Sequence, residues 1–599
     1  MILQSLYEYY GRKRDSLPGD GIERKELPFL FVLKPDGAFL HIEDTRQGDG
    51  KRKRGNTFLV PQGVKKSANV AANLLWGNIE YILGQPDSKK LEEQRKKGKE
   101  KHYRERLRRM HTAFRTEIER LPKTTQSTPK ISATLAFIAS DNFTHVLADP
   151  LWPQVSATGA NVSFKLAGEE NPVCSASVVL ASVGQSSEDE GESSICLITG
   201  NPDVVERLHP PIKGVWDAQT SGANIVSFNL PAFNSFAREQ GSNAPIGKRA
   251  AFAYTTALNH LLASKQRIQI GDASTVFWAA ADSRMESLLS QFFDEPPQEN
   301  LDQGTNAVKE LFDAPLAGTP AIYDDGTRFY VLGLAPNAAR IAVRFWHVAT
   351  VGDLARHIRQ HFEDLEIVRP QYVQRPFLSL KALLACLAQT TRERPHGDVD
   401  KLPPKLAGDF MKAILDGTPY PQTLLQAALR RIHAEQAKKD EKGRQREHVT
   451  YARAALIKAW LNRLTRNANS DQEREFTMSL DESNINSGYR LGRLFAVLEK
   501  VQAEANPGLN TTIRDSYFGS ASSTPSAVFP SLMRRSQHHM SKLRKEKPGL
   551  YVTRDKLIQT ICDDGIDGKL GFSPVLSLAD QGRFIIGYYQ QRQDLYTKS

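Results

Sequence analysis

A change of pattern near residue 350 constrains the fold of this 599-residue chain more than any other feature. Before that point, short apolar and β-branched runs alternate with turn signals, whereas after it strand signals become sparse and helical periodicity dominates. We therefore predict an α+β protein with a mixed α/β N-terminal region and a C-terminal all-α helical bundle. Because one hydrophobic core does not serve so long a chain, we expect three parts, at residues 1–350, 351–470 (a helical linker region) and 471–599.

The N-terminal region carries a clear β-hairpin signal. Residues 27–33 form an apolar run, Asp36-Gly37 is a turn dipeptide, and residues 39–42 supply a partner strand. Strand character also marks five later runs, at residues 176–180, 194–200, 225–229, 275–279 and 340–346.

Positive charge is in excess over the whole chain. Lys and Arg number 79 against 68 Asp and Glu, which gives a net charge of +11 and a pI near 9.2. An excess of this size favours a polyanionic partner, nucleic acid before membrane. Residues 88–120 predict a helix with many Lys and Arg and few apolar residues, which we expect to be solvated on most faces.

The cysteines and the apolar runs indicate where the protein works. The four cysteines, at positions 174, 196, 386 and 562, have no CxxC or zinc-binding spacing, so we expect reduced thiols in a cytoplasmic protein. We expect no signal peptide, because the N-terminal apolar stretch is short and no small-residue cleavage site follows it. We expect no membrane span, because no run of about 18 apolar residues is present in the sequence.

Motifs of the common catalytic sites are missing from the sequence. It contains no GxxxxGK[ST], GxGxxG after a strand, HExxH or GxSxG, and we expect no cofactor, no metal and no enzymatic activity. Asp563 and Asp564 stand side by side, but a two-metal nuclease needs carboxylates from separate elements, and a turn before Gly565 explains them more simply.

Histidine pairs give two further candidates for chemistry. His357 and His361 would share a helical face with Asp364 nearby, but a metal site needs a third ligand that nothing else supports, so we expect two surface histidines on a charged helix. The adjacent His538-His539 pair would face different ways on a helix, which favours solvated or capping residues.

Short blocks in a fixed order along the chain resemble one protein family. They include MILQSLYEYY at residue 1, NLLWGNIEYILG at 73–84, YTTALN at 254–259, APNAAR at 335–340, YRLGRL at 489–494 and FIIGYYQQR at 584–592. Together they resemble the large subunit of the type I-C CRISPR Cascade complex, the Cas-eight-c or Csd family. The charged segment 88–120 matches no feature of that family.

The resemblance implies a role in an RNA-guided surveillance complex, where pairing with the guide RNA reads the target sequence. The large subunit is expected to contact the short flanking motif (the PAM), to help unwind the target and stabilise the R-loop, and to help recruit a helicase-nuclease. The implied partners are the CRISPR RNA, the target duplex with its displaced strand, the backbone and guide-end Cascade subunits, and a small subunit. Such small subunits are often made from an internal start, for which Met478 is the candidate here.

Two residues of the N-terminal region are predicted to contact the PAM. Lys34 lies at the tip of the first hairpin, and Asn73 lies in an apolar stretch where its amide needs a backbone or ligand partner. A surface lysine and a capping asparagine are the alternatives. A basic track for phosphates, for which a solvated charge run is the alternative, is predicted at Lys51, Arg52, Lys53, Arg54, Lys65 and Lys66.

A third candidate is a wedge that fills the space left by the first separated base pair. Gln266, flanked by Lys265 and Arg267, lies between a predicted helix and a predicted strand and is our choice, with an ordinary connecting loop as the alternative. Arg340 and Arg344, four apart on a predicted strand, would share one face.

The last part of the chain is predicted to follow the displaced strand on basic helix faces. Arginines paired with acidic neighbours are the alternative. The predicted strand-binding residues are Arg490, Arg493, Arg534, Arg535 and Lys542.

Two other functions compete with this interpretation. A metal-dependent nuclease would cleave nucleic acid by itself and would lose that activity on replacing Asp563 or Asp564. A basic RNA-binding scaffold would bind guide RNA alone as tightly as the assembled complex binds PAM-bearing duplex.

Overall fold

The computed structural model describes residues 2–48, 53–64, 70–183, 192–294, 300, 302–313, 326–338, 340–374, 376–390, 397–439, 443, 446–468, 471–563 and 571–597. The chain divides into two compact units. The first unit takes in residues 3–210 and 226–258, and the second takes in residues 211–225 and 259–599. The three-part division made from the sequence stays a prediction.

The first unit mixes short strands with helices. Its strands are β1 (Ile22–Glu26), β2 (Phe29–Leu33), β3 (Phe39–Asp44), β4 (Thr57–Pro61), β5 (Trp76–Gly77), β6 (Val162–Leu166), β7 (Ser193–Ile195) and β8 (Pro202–Val204). Its helices are α1 (Ile2–Arg12), α2 (Ile79–Ile82), α3 (Ser88–Lys96), α4 (Glu100–Glu119), α5 (Lys123–Gln126), α6 (Pro129–Ala139), α7 (Thr144–Leu147), α8 (Trp152–Thr158) and α9 (Ser177–Val183). The residues of α10 (Lys248–Ala263) are divided between the two units.

A four-stranded sheet in the order β3-β2-β6-β5 forms the centre of the first unit. All five side chains of β2 are buried, as expected for a strand covered on both faces. β2 pairs with β3 as an antiparallel hairpin and with β6 in parallel, while β5 is antiparallel to β6. The carboxyl ends of β2 and β6 therefore lie at the same end of the sheet, whereas β5 pairs only with Val162 and Ser163 at the start of β6.

The second unit begins with four strands and continues with helices. Its strands are β9 (Arg267–Ile270), β10 (Ala273–Ala279), β11 (Arg328–Asn337) and β12 (Arg340–Thr350). Its helices are α11 (Met285–Phe293), α12 (Gln303–Asp313), α13 (Val351–Leu365), α14 (Leu380–Ala385), α15 (Pro404–Asp416), α16 (Gln422–Glu435), α17 (Tyr451–Ala468), α18 (Ser487–Ala505), α19 (Ile513–Ser523), α20 (Pro525–Glu546), α21 (Pro548–Cys562) and α22 (Leu578–Thr597).

The four strands form an antiparallel sheet in the order β12-β11-β10-β9. The register between β11 and β12 shifts after Gly333, which pairs with Phe345, because Leu334 pairs with Val343. Arg344 is thus the extra residue of a β-bulge, and it forms an ion pair of 2.6 Å with Asp272. The bulge breaks the strict alternation on which the expected common face of Arg340 and Arg344 depended.

Helices α18 and α22 pack against each other through glycines. A Cβ at Gly492 would lie 2.0 Å from the carbonyl oxygen of Phe584, and one at Gly587 would lie 2.1 Å from that of Tyr489. Real Cβ atoms do not come so close to backbone, so the two helix backbones approach each other only because glycine has no side chain. We call this contact the glycine seam.

The α+β class predicted from the sequence is confirmed, with several small sheets in the N-terminal half and helices at the C-terminus. Two local predictions were wrong. Residues 177–183 of the run predicted at 176–180 form helix α9, and residues 225–229 form no strand. All four cysteines are free thiols. No helix within the described ranges is long and apolar enough to cross a membrane.

Candidate nucleic-acid interface

The β2–β3 turn presents Lys34 on a fixed backbone. The Lys34 N–H donates to the Ala38 carbonyl at 2.8 Å, and the Gly37 N–H donates to the Lys34 carbonyl at 2.9 Å. Gly37 has a φ of 87° and packs so closely on α6 that a Cβ would lie 2.7 Å from that of Ala136. The Lys34 side chain is exposed and forms no ion pair with a described residue. The predicted position at the hairpin tip is confirmed, and the ammonium group is available to a ligand.

Asn73 uses its amide oxygen inside the protein. Its side chain is 6% exposed, and Oδ1 accepts a hydrogen bond of 3.0 Å from the Val64 N–H. Asn73 lies three residues before Trp76, which pairs with Ser163 near the start of β6, whereas Lys34 follows the carboxyl end of β2. The contact fixes the backbone directly before Lys65 and Lys66, which lie outside the described residues. The base contact predicted for Asn73 stays a prediction, and its observed role is to hold this connection.

The basic loop between β3 and β4 is described only in part, since Lys51 and Arg52 lie outside the described residues. Lys53 and Arg54 are exposed. The backbone of Arg54 pairs with that of Gln47 through hydrogen bonds of 2.8 and 3.1 Å. Next to it, the Gly55 N–H donates to the Glu26 carboxylate at 2.6 Å. The base of the loop is therefore held by the protein, while two of its cationic side chains face solvent.

Helix α4 is amphipathic, a feature that its many charges conceal in the sequence. Its buried residues are Tyr103, Leu107, Met110, Phe114 and Ile118, at the spacing of three and four that forms one stripe on a helix. The expectation of a helix solvated on most faces was therefore too simple, because this stripe packs into the core of the first unit.

Residues 88–120, which contain α3 and α4, concentrate the positive charge of the chain. They hold 13 Lys and Arg against six Asp and Glu, a net charge of +7 out of +11. Six of the cations form ion pairs with carboxylates, for example Arg104 with Glu100 and Arg115 with Glu119. The others are exposed and form no ion pair with a described residue; we call them the cationic face, and they are Lys89, Lys96, Lys99, Lys101, Arg106, Arg108 and Arg109.

A buried hydrogen bond ties α4 to the segment that contains Asn73. The Tyr103 hydroxyl donates to the Glu80 carboxylate of α2 at 2.5 Å, and Lys90 pairs with the same carboxylate at 2.8 Å. Burial, together with the negative charge of Glu80, raises the pKa of Tyr103 well above its usual value, so the hydroxyl keeps its proton. Since α2 directly follows β5, this bond anchors the helix that carries most of the cationic face to the central sheet of the first unit.

In the second unit, Gln266 lies in the predicted connection between α10 and β9. Its backbone N–H donates to the Ser264 hydroxyl at 3.1 Å, and its carbonyl accepts from the Phe277 N–H at 3.2 Å. Lys265 is exposed, whereas Gln266 and Arg267 are half-buried, and Arg267 donates to the Ser274 hydroxyl at 3.4 Å. The loop is thus rigid at its backbone; its wedge role stays a prediction.

Arg490 and Arg493 lie inside the helical bundle and not on an exposed basic face. Arg490 donates to the carbonyl groups of Asn484 and Asp563, and Arg493 donates to the Gln591 side chain at 3.0 Å. Arg493 is 1% exposed, and burial lowers its pKa. These guanidinium groups hold the bundle together, because they donate hydrogen bonds to the preceding loop and to later parts of the chain. A displaced strand would meet other side chains.

Helix α20 carries the exposed cations of the predicted strand-binding set. Arg534, Arg535 and Lys542 are all exposed. The Arg535 guanidinium lies over the Tyr517 ring at 5.5 Å, and Lys542 donates to Asn506 Oδ1 at 3.2 Å. These side chains are the ones that the structure leaves accessible to a strand.

The candidate catalytic and metal-ligating residues have other partners. Asp364 accepts from Arg463 at 3.1 Å and from Arg466 at 2.7 Å, and His357 donates to the Leu415 carbonyl at 2.6 Å. His361 is 1% exposed and bonds to Tyr420, so it is a core residue and not the surface histidine that we expected. Asp564 lies outside the described residues. Within the described ranges, no group of three or more His, Cys, Asp or Glu is placed to hold a metal ion.

Comparison with known proteins gives the family. No curated protein matches the sequence. The sequence profile of a family of CRISPR-associated proteins (Cas_Csd1) matches residues 6–596, nearly the whole chain. The resemblance inferred from short blocks is confirmed by this match, and the chain belongs to the Cas_Csd1 family of CRISPR-associated proteins.

Proposed function

We propose that this chain is the large subunit of an RNA-guided type I-C CRISPR surveillance complex and acts there by binding, without breaking bonds. In this role it recognises the PAM, helps unwind the target, stabilises the R-loop and helps recruit the helicase-nuclease. The observation that carries the proposal is the cationic face, which lies in the same unit as the exposed Lys34. A solvent-facing group of cations without carboxylate partners suits a polyanion, and in a CRISPR-associated family that polyanion is nucleic acid.

The first unit divides two tasks between different residues. The cationic face and the pair Lys53 and Arg54 supply contacts to phosphates, which give affinity without sequence preference. Lys34, on a turn whose backbone is fixed, supplies a donor to base edges. Asn73 contributes by holding the backbone before Lys65 and Lys66.

Separate measurements on PAM-bearing and PAM-free duplexes test this division in the assembled complex. We expect Lys34→Ala to reduce the ratio of the two dissociation constants by about fivefold or more, the range of one lost base contact. Lys89→Ala, which removes an exposed cation of α3, should weaken binding to both duplexes alike. An unchanged ratio in the Lys34 variant would refute its assignment as a PAM reader.

The wedge in the second unit is tested by the rate of strand separation. We expect Gln266→Ala to slow R-loop formation, followed by 2-aminopurine fluorescence next to the PAM, while binding to the intact duplex is retained. Lys265→Ala, a change at the exposed neighbour, should lower affinity with little effect on the rate. Equal rates for Gln266→Ala and the wild type would remove the wedge from the proposal.

The small subunit is proposed to come from an internal start at Met478. This residue is 53% exposed and precedes α18, so residues 478–599 contain the helices α18 to α22. Expression of the gene should yield a second product that begins at this residue, and Met478→Leu should abolish it. A wild-type gene that yields only the full-length chain would contradict the proposal.

A further inference from the structure

A cavity of about 370 Å³ lies among α18, α19 and α20 in the C-terminal part of the second unit. Within the continuous described stretch 471–563, the side chains that line it are apolar, neutral polar or basic, and none is a carboxylate. The lining includes the hydroxyl groups of Thr and Ser residues together with the apolar side chains of Leu498 and Leu532. The basic groups that line it are Arg535, His538 and His539.

The nearest carboxylates along the chain are occupied by the protein. Asp515 accepts from the Thr512 N–H at 2.8 Å in the capping box of α19. Glu499 accepts from the Thr512 hydroxyl at 3.4 Å and from the Tyr588 hydroxyl at 2.7 Å. The side chains that line the cavity therefore offer donors and apolar surface, and the two carboxylates bonded to Thr512 are turned to partners within the protein.

Arg535 is held at this cavity by stacking. Its guanidinium lies 5.5 Å from the centre of the Tyr517 ring, which also lines the cavity. The adjacent Arg534 is equally exposed but does not line the cavity. One of two neighbouring arginines is therefore placed at a defined position, and the other serves as its natural control.

A chain of hydrogen bonds determines which nitrogen of His539 carries the proton. The Lys542 ammonium can only donate, so the Asn506 atom that it contacts at 3.2 Å is the amide oxygen. The other Asn506 atom is then the NH₂ group, which donates to Nδ1 of His539 at 3.0 Å. The neutral ring must consequently hold its proton on Nε2, where it is a donor. Burial and the nearby His538 and Lys542 lower the pKa of His539, which favours this neutral form.

We propose that this cavity binds one unpaired nucleotide of a single strand, with its phosphate at Arg535 and the two histidines and its base against Tyr517 and Leu532. The inference rests on the proposed function, in which the displaced DNA strand follows the C-terminal helices. The volume lies in the range of small-ligand pockets. A base in a duplex is stacked and paired and cannot enter, whereas an unpaired base can stack on an aromatic side chain. Lys542 is a positioning residue, because it acts through Asn506.

The test measures binding of a fluorescein-labelled oligo(dT) to the assembled complex by anisotropy. We expect Arg535→Ala to weaken binding by about fivefold or more, the range for loss of one stacked and neutralised nucleotide, and Arg534→Ala to change it less than about twofold. Ser516→Trp, at an exposed lining position of α19, should fill the cavity without changing charge or core packing. Ser520→Trp, exposed on the same helix but outside the cavity, is its control.

The outcomes separate this inference from the proposed function. Equal losses of oligo(dT) affinity in Arg534→Ala and Arg535→Ala, or normal binding by Ser516→Trp, would overturn the proposed nucleotide site. PAM selectivity on duplex DNA would remain intact in that case. A loss confined to an oligo(U) RNA probe would assign the cavity to RNA and overturn its link to the displaced strand. A wild-type complex without PAM selectivity would instead refute the proposed function.

Discussion

Neutralising part of the cationic face should change how DNA binding depends on salt. Lys101, Arg106, Arg108 and Arg109 are exposed on α4 and form no ion pair with a described residue, so their charge is free to displace counterions from DNA. Each phosphate contact contributes about −0.9 to the slope of log K against log salt concentration. Replacing all four by Gln should therefore make the slope less negative by up to about 3.6.

The size of this change is large enough to measure directly. Between about 50 and 200 mM salt, a slope difference of about 3.6 means that the wild type loses roughly 150-fold more affinity than the variant. The assay is anisotropy of a labelled PAM-bearing duplex titrated with the assembled complex at several NaCl concentrations. The ratio of affinities for PAM-bearing and PAM-free duplexes should stay unchanged, because phosphate contacts carry no sequence information.

A control variant with the same loss of charge shows whether the change in slope comes from the surface of α4 or from the net charge of the protein. Lys309, Lys381, Lys405 and Lys412 of the second unit are exposed and form no ion pair with a described residue. Their replacement by Gln lowers the net charge equally and should leave the slope near its wild-type value. If the α4 variant and this control had the same slope, the cationic face would not contact DNA and the reasoning from unpaired cations would be refuted.

Three further predictions concern stability. Asp364→Asn leaves two arginines without their shared carboxylate and should lower the free energy of unfolding by about 3–5 kcal/mol. Asp353→Asn, at an exposed ion pair, should lower it by at most about 1 kcal/mol. Urea unfolding measures both. Burial, with nearby arginines, holds the pKa of His448 well below 6.5, so below about pH 6.5 this residue binds a proton only in the unfolded chain. His448 should therefore contribute about 1.4 kcal/mol per pH unit to the loss of stability in acid, and His448→Phe should make the slope smaller by that amount. Gly492→Ala should lower the free energy of unfolding by about 1–3 kcal/mol or more. Gly549→Ala, where an added methyl group meets nothing within 4 Å, should leave it unchanged. Equal melting temperatures for these two variants would contradict the close contact at the glycine seam.

The local parts of the fold could be predicted from the sequence. The β2–β3 hairpin follows from an apolar run, the Asp36-Gly37 turn and a second run, all within a few residues of each other. Helix α18 follows from the periodicity of its own residues. The run at 176–180 failed because β-branched residues favour a strand only weakly, and here a tight turn at residues 173–175 leads the chain into a helix.

The placement of charged side chains could not be predicted in the same way. Arg493 was predicted to lie on a surface, since a buried guanidinium is costly without acceptors, yet its acceptor Gln591 lies almost a hundred residues away in the sequence. The opposite case is α4, whose buried stripe was present in the sequence but was obscured by the surrounding charges. The first case is decided by pairing with a distant residue, which a single sequence does not reveal, whereas the second could have been found from helical spacing.

The glycine seam has a consequence for how this gene can vary. Gly492 and Gly587 both lie beyond Met478, so a protein translated from that methionine would inherit both halves of the contact. A substitution at either codon would then damage two gene products at once. Selection would act twice on these two positions, and we expect them to drift more slowly than glycines in the rest of the chain.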